Sequence, residues 1–286
     1  MRDVVFLADC HIGRRFRAGV PLGRTGERDA LQRKAFADFF DKHEQDDVII
    51  LGDLFDSVNV SNEDLLFVAN VLNRRSEFVS TIILAGNHDI SRSDKISSFD
   101  VLSKMATKAD FVQGNTAIWG DYSLVPFSYR FGVEELVRNL SYKTKYLCGH
   151  FSDKDVPFLS TLGFEHIYSG HLHNYFDPFV EFVPAMLPLN HLEARNDDLY
   201  ITYNSVDEFL KAEPETYKNK CVRVVGKDLS IEDVDCLQFQ VVRKEEIESQ
   251  SEVEFEGFDA RSIFEECMKD VDDKLKGEIY ERLDWK

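Results

Sequence analysis

The chain has 286 residues, 43% of them hydrophobic and 30% charged, with a formal net charge of -18 at pH 7. That length admits one large domain plus an appendage, and the acidity argues against a protein that coats nucleic acid by bulk attraction. No apolar run approaches the roughly 20 residues of a membrane helix, so no membrane role is expected. Five cysteines with no CxxC spacing, and an N-terminus "MRDVVFLADCHIG" without a signal-peptide pattern, point to the reduced cytoplasm. Charge is unevenly placed. Arg14 to Lys34 holds seven basic residues against two acidic ones, and Lys244 to Lys286 holds fifteen acidic against seven basic.

In chain order, "VVFLAD" reads as a buried strand ending at Asp9. "ALQRKAFADFFDKH" has helical spacing through Leu31, Ala35, Phe36, Phe39 and Phe40. "VIILGD" is a second strand, and "SNEDLLFVANVLNRR" a helix capped by Ser61, with Asp64 completing a capping box. "STIILAGN" is a third strand and "SFDVLSKMA" a helix. Short strands follow at "FVQ", "TAIWG" and "SLVPF", then a helix at "VEELVRNL" and strands at "KYLCGH" and "HIYSGH". This alternation predicts an α/β layered fold with a largely parallel sheet, which places ligands at the carboxyl ends of its strands.

The pattern divides the chain into a first domain over 1–200 and a small β-rich region over 201–246, with strands at "CVRVVGKD" and "LQFQVVRK". An acidic linker over 247–257 leads to a C-terminal helix over 258–286. Asp259 caps that helix, and Ile263, Phe264, Cys267, Met268, Val271, Leu275, Ile279 and Leu283 form its apolar stripe.

Chemistry collects at the strand ends. "Asp9-Cys10-His11", "Gly52-Asp53-Leu54-Phe55-Asp56", "Gly86-Asn87-His88-Asp89", "Gly149-His150" and "Gly170-His171-Leu172-His173" each follow a predicted strand. Mixed Asp, His and Asn donors suit divalent Mn, Fe or Zn better than an all-oxygen calcium site. Two such ions roughly 3.5–4 Å apart activate a water and neutralise the attacking and leaving oxygens of a phosphoryl displacement. Asp53, on the central strand, is the candidate bridge. Alternation turns Cys10 and Cys148 to the opposite face, into packing. Asp89 reads as a residue that fixes its loop, and His43, His166 and His191 carry no motif.

These motifs in this order resemble the signature of the calcineurin-like metallophosphoesterase superfamily: DxH, GDxxD, GNH(D/E), GH and GHxH. The resemblance implies that Asp9, His11, Asp53 and His173 hold one ion and that Asp53, Asn87, His150 and His171 hold the other. It implies that His88 protonates or stabilises the leaving group, oriented by Asp56, although Asp56 also reads as a helix cap. The flanks "ADCHIGRRF", "LGDLFDS" and "LAGNHDIS" look like SbcD-type DNA-repair nucleases, of short phage type, over roughly residues 1–175. That resemblance implies Mn2+ as the metal, DNA as substrate, a small β-rich cap, and a C-terminal helix docked on an SbcC-type SMC-like ATPase. It also admits a homodimer, and a host-cytoplasm location if phage-encoded. After GHxH the family carries Tyr-x-Gly-Ser-Pro, where this chain has "FVPAMLPLNHLEARNDD".

The basic segment, with Arg14, Arg15, Arg17, Arg24 and Arg28, directly follows the first motif and is expected to contact the phosphate backbone. Phe127, Tyr129 and Phe131 either stack on bases or pack in the core. The alternative function is a small-molecule phosphodiesterase or pyrophosphatase on the same ions. A non-catalytic scaffold is disfavoured by the intact motifs. A phosphoprotein phosphatase is disfavoured by Ser57-Val58 and Asp89, where that branch carries Arg-Gly and Glu.

Overall fold

The computed structural model describes residues 3–93, 95–193, 199–226 and 234–243. The predicted linker and C-terminal helix lie outside them. Met1–Val241 forms one compact unit; the second, Val242–Lys286, falls almost wholly outside the described residues.

Strands β1 (Val4–Leu7), β2 (Asp47–Ile50), β3 (Thr81–Leu84) and β4 (Asp110–Val112) form a parallel sheet in that order. Helices α1 (Glu27–Lys42), α2 (Asn62–Asn73) and α3 (Ser98–Met105) supply its crossovers. The strands read as near-continuous apolar runs because both faces are covered. Val48, Ile50 and Ile83 pack with Phe36, Phe40, Val68, Leu72 and Phe99 of the helices. Their neighbours Ile49, Leu51, Ile82 and Leu84 point the other way, against Leu124 and Cys148. Each such buried aliphatic side chain contributes about 1.5–3 kcal/mol.

Leu124 and Cys148 belong to a second sheet of β5 (Ala117–Trp119), β6 (Tyr122–Val125), β7 (Tyr146–Gly149), β8 (His166–Ser169) and β9 (Glu181–Phe182). The layered α/β fold with sheets flanked by helices is present, as two large sheets packed face to face. A parallel connection needs a crossover of about a dozen residues. Only residues 113–116 separate β4 from β5, and β5 pairs antiparallel with β6. The first sheet therefore ends at β4. The outer face of the second sheet is covered by α4 (Val133–Arg138) and α5 (Val156–Leu159), through Leu136, Val137, Val156 and Leu159. Helix, sheet, sheet and helix form four layers.

A third sheet, β10 (Tyr200–Tyr203), β11 (Cys221–Val225) and β12 (Gln238–Val242), packs with α6 (Val206–Leu210) around Phe209, Val222, Val224 and Phe239. This small β-rich element adjoins the basic segment: the Phe239 amide donates to the Gly19 carbonyl at 2.7 Å, and the Gln238 amide group donates to that of Ala18 at 2.9 Å.

Local signals hold unevenly. Ser61 caps α2 by accepting from the Asp64 amide at 3.1 Å. The Asp64 carboxylate does not close the predicted box. It accepts from the Ser61 hydroxyl and from Arg15, whose guanidinium outcompetes a neutral amide. A complete capping box forms instead at Ser97 and Asp100 of α3.

Candidate metal centre

Asp9 follows β1, Asp53 follows β2, Asn87 and His88 follow β3, His150 follows β7, and His171 and His173 follow β8. The carboxyl ends of strands in both large sheets thus meet at one edge. Donor atoms gather there in overlapping groups: Asp9, His11 and His173; His11, Asp53 and His88; Asp53, His150 and His171. Asp53 Oδ2 lies 3.3 Å from His150 Nε2, 3.9 Å from His88 Nε2 and 4.0 Å from His11 Nε2. Asp53 is therefore shared by two of the three groups. Asn87 joins through its side-chain oxygen, 2.9 Å from His150 Nε2.

The backbone is strained here. Among the described residues, the non-glycine positions with positive φ are Asp9 (50°), His11 (45°), Asp53 (48°) and His171 (84°). Left-handed backbone costs a residue with a Cβ on the order of 1–3 kcal/mol. Every such position carries one of the predicted ligands, so the strain aims side chains. Two glycines make room. Gly52 has φ 96°, and a Cβ at Gly86 would sit 2.2 Å from Asp53 Oδ1. That oxygen instead accepts the His88 amide at 2.9 Å. The amide of His171 holds the Asp9 carboxylate at 3.1 and 3.0 Å.

Three imidazoles are oriented from behind. His150 Nδ1 donates to the Leu51 carbonyl at 2.8 Å, His88 Nδ1 to the Asp56 carbonyl at 2.7 Å, and His173 Nδ1 faces Glu193 Oε2 at 3.1 Å. Each partner fixes the tautomer and turns Nε2 inward, as outer partners of metal-binding histidines do. His11 Nε2 comes within 3.4 Å of His173 Nε2. Its buried Nδ1 makes no hydrogen bond, although Asp56 Oδ1 is 3.3 Å away.

Charge is concentrated on buried side chains. Burial opposes ionisation of Asp53, but the imidazoles of His150, His11 and His88 outweigh it and hold its carboxyl well below the usual range. Burial would likewise lower His150, yet Asp53 raises it to about 9; Asp9 and Glu193 overcome burial at His173 and raise it to about 10. Burial and the His150 charge push His171 down to about 4. The carboxylates thus draw protons onto imidazoles. A divalent cation fits the same need: it supplies the positive charge and leaves inward Nε2 lone pairs for coordination.

Other predicted residues divide. Asp56 is not a helix cap, since Ser61 caps α2. Its carboxylate also does not orient His88; its backbone carbonyl does, and the carboxylate reaches His11 and, at 3.2 Å, Arg14. Asp89 is fully buried and accepts from the amides of Leu54, Phe55 and Gly86, tying the second motif loop to the third. Burial and the neighbouring Asp53 raise its carboxyl to about 7. Cys10 and Cys148 are buried in apolar packing.

The basic segment needs correction. Arg28 is 1% exposed, donates to Tyr200 Oη at 2.7 Å and to the Pro188 carbonyl at 3.1 Å, and lies over the Phe16 ring at 4.2 Å. Arg24 is bound by Glu27, Asp235, Asn219 and the Lys218 carbonyl, which ties α1 to the small sheet. Arg15 is held by Asp64 and Asp29. Neither Arg28 nor Arg24 is placed to meet a phosphate backbone. Arg14, beside Asp56, and exposed Arg17 remain accessible.

Glu193 was missed, because nothing in "NHLEARND" marks it. It lies in the segment that follows the last motif, and Ala185 of that same segment bridges to Ala8 beside Asp9. Fold-level contacts bring it to His173.

The family model of the calcineurin-like phosphoesterases matches residues 3–175, more than half of the 286. Comparison with curated proteins returned no match. No helix among the described residues is long and apolar enough to cross a membrane. The matched span carries every strand end that meets at the site, and the chain therefore belongs to the calcineurin-like phosphoesterases, metal-dependent hydrolases of phosphoesters that bind two divalent cations.

Proposed function

We propose that the protein is a two-metal DNA nuclease, cleaving phosphodiester bonds as exonuclease and endonuclease, and that it works with an SMC-like ATPase in DNA repair, recombination or replication. Asp9, His11, Asp53 and His173 hold one cation, and Asp53, Asn87, His150 and His171 the other, with Mn2+ the proposed metal. When bound, the pair supplies a lowered pKa for an attacking water and neutralises phosphate charge.

The observation that carries the catalytic reading is His88. Its Nδ1 is committed to the Asp56 carbonyl, so Nε2 is the atom that exchanges a proton. That nitrogen stands 3.9 Å from Asp53 Oδ2 on a side chain 41% exposed, so a substrate at the site can meet it. The choice of DNA rests on the flanking resemblance, "ADCHIGRRF", "LGDLFDS" and "LAGNHDIS". The ATPase contact rests on the sequence pattern of residues 258–286, and the acidic total charge is tolerable if that partner supplies much of the DNA affinity.

The test is Mn2+-dependent cleavage of end-labelled single- and double-stranded DNA beside bis-p-nitrophenyl phosphate and cyclic nucleotides, with wild type and His88→Ala. DNA cleavage lost in the variant supports the proposal. Hydrolysis of the small diesters alone, unchanged when the ATPase is added, favours the small-molecule alternative.

A further inference from the structure

We propose that the cleft beside Asn87 and His88 binds a single strand of nucleic acid and leads it to the metal centre. This rests on the nuclease reading and deepens it. The cleft measures about 1100 Å³, at the upper end of the roughly 300–1,000 Å³ typical of ligand sites.

Its inner end adjoins the catalytic edge. Ile90, two residues past His88, lines it. The Tyr129 hydroxyl donates to the Asn87 carbonyl at 3.0 Å, and the Phe127 ring meets the His150 ring edge-on at 6.4 Å. A strand lying in the cleft thus runs up to Asn87 and His150.

Among the described residues its lining is mainly basic, with Arg92, Lys95, Lys104 and Arg130 beside the acid Asp100. The Asp100 carboxylate is already engaged by the amide and hydroxyl of Ser97 and by the Gln113 amide group. On a protein of net charge -18, this local basic field selects where a polyanion lands.

The aromatic residues favour a single strand over a duplex. Tyr129 is 40% exposed and Phe131 41%, so neither is core, and the Arg92 guanidinium lies 4.9 Å over the Tyr129 ring. Open rings beside cations form a platform for unpaired bases. A duplex keeps its base faces stacked internally and leaves such rings unused.

The experiment uses full-length protein with Mn2+. Anisotropy gives the Kd for a labelled phosphorothioate oligothymidylate, which resists hydrolysis, and for a blunt duplex. Turnover is followed on ordinary oligothymidylate and on bis-p-nitrophenyl phosphate. The double variant Arg92→Glu, Lys95→Glu is expected to raise the oligothymidylate Kd at least tenfold, with a lowered ratio of oligonucleotide to small-diester turnover. Exposed Phe131→Ala, which removes one ring, is expected to raise it roughly fivefold or more. Cleavage by wild type with a Kd unmoved by charge reversal overturns the cleft assignment alone and leaves the nuclease reading standing. Failure of wild type to bind or cleave any oligonucleotide, with bis-p-nitrophenyl phosphate still hydrolysed and the ATPase restoring no cleavage, overturns the nuclease reading and the strand together. Equal losses on duplex and single strand overturn the single-strand assignment. A charge reversal that changes the elution volume on a sizing column but not the Kd makes the cleft a protein contact, which also overturns the proposal.

Discussion

Glu193 Oε2 stands 3.1 Å from His173 Nδ1, and this pair joins a segment of no evident motif to the last of the ordered motifs. The contact holds the Glu193 carboxyl below its ordinary range against the opposing effect of burial, through the His173 charge. It leaves His173 Nε2 facing Asp9 Oδ1 at 3.5 Å and His11 Nε2 at 3.4 Å. Removing an outer partner of this kind costs metal affinity about 10–100-fold. Glu193→Ala is expected to lose that much, with Glu193→Gln recovering part of it. Calorimetric Mn2+ titration reads the loss directly, and full affinity in the alanine variant would remove Glu193 from the site.

His88 and Asp56 separate two roles that the sequence merged. His88→Ala is expected to retain both metals and to lose about 10²–10⁴ of turnover, the usual contribution of a positioned acid. Asp56→Asn keeps the backbone carbonyl that holds His88 Nδ1. Its effect is expected on metal affinity, through His11 and Arg14, with turnover at saturating metal unchanged. Turnover lowered at saturating metal would restore the carboxylate as the partner of His88.

Asp53 links all the inward imidazoles except that of His173 by distance or shared cluster. Asp53→Ala is expected to lose both ions. Elemental analysis after desalting reads the stoichiometry, and a variant that still holds two ions refutes the bridge.

Metal removal should expose a pH dependence of stability. His150 is raised to about 9 and His173 to about 10, above the ordinary 6.5. Between pH 6.5 and 9 the folded metal-free protein binds more protons than the unfolded chain, so stability falls as pH rises. Below 6.5 the picture is mixed. Asp89, raised to about 7, still acts in the same direction, whereas His171, lowered to about 4, acts in the opposite one. In chelator, Tm is expected to drop between pH 6.5 and 9, and Mn2+ to reduce the drop by replacing the lost protons. A flat Tm in chelator contradicts this.

Arg28 offers a test of the corrected basic segment. Arg28→Met retains the apolar stem but loses the hydrogen bonds to Tyr200 and Pro188. Hydrogen bonds to charged groups contribute about 1.5–3 kcal/mol each, so urea unfolding should show a loss of about 2 kcal/mol or more. DNA affinity of the folded variant should be that of wild type. Weaker DNA binding with unaltered stability would return Arg28 to the surface role first expected of it.

The sequence by itself determined the alternation of strand and helix, the residues at the strand ends and the central place of Asp53. Those features are local: apolar runs buried on both faces fix β1, β2, β3, β7 and β8, and the residues that follow each strand necessarily lie at its carboxyl end. Asp89 as a loop-fixing residue and the packing of Cys10 and Cys148 were legible for the same reason. Only the tertiary structure decided that two sheets share the site, because four residues between β4 and β5 leave no room for a crossover helix. It also decided which arginines face water. Arg14, Arg17, Arg24 and Arg28 are alike in sequence, but burial against Phe16 and Tyr200 and a network reaching residues 218–235 set the last two apart. Long-range partners such as Glu193 for His173 depend on which loops meet. Local periodicity carries no information about that meeting, and packing the layers together settles it.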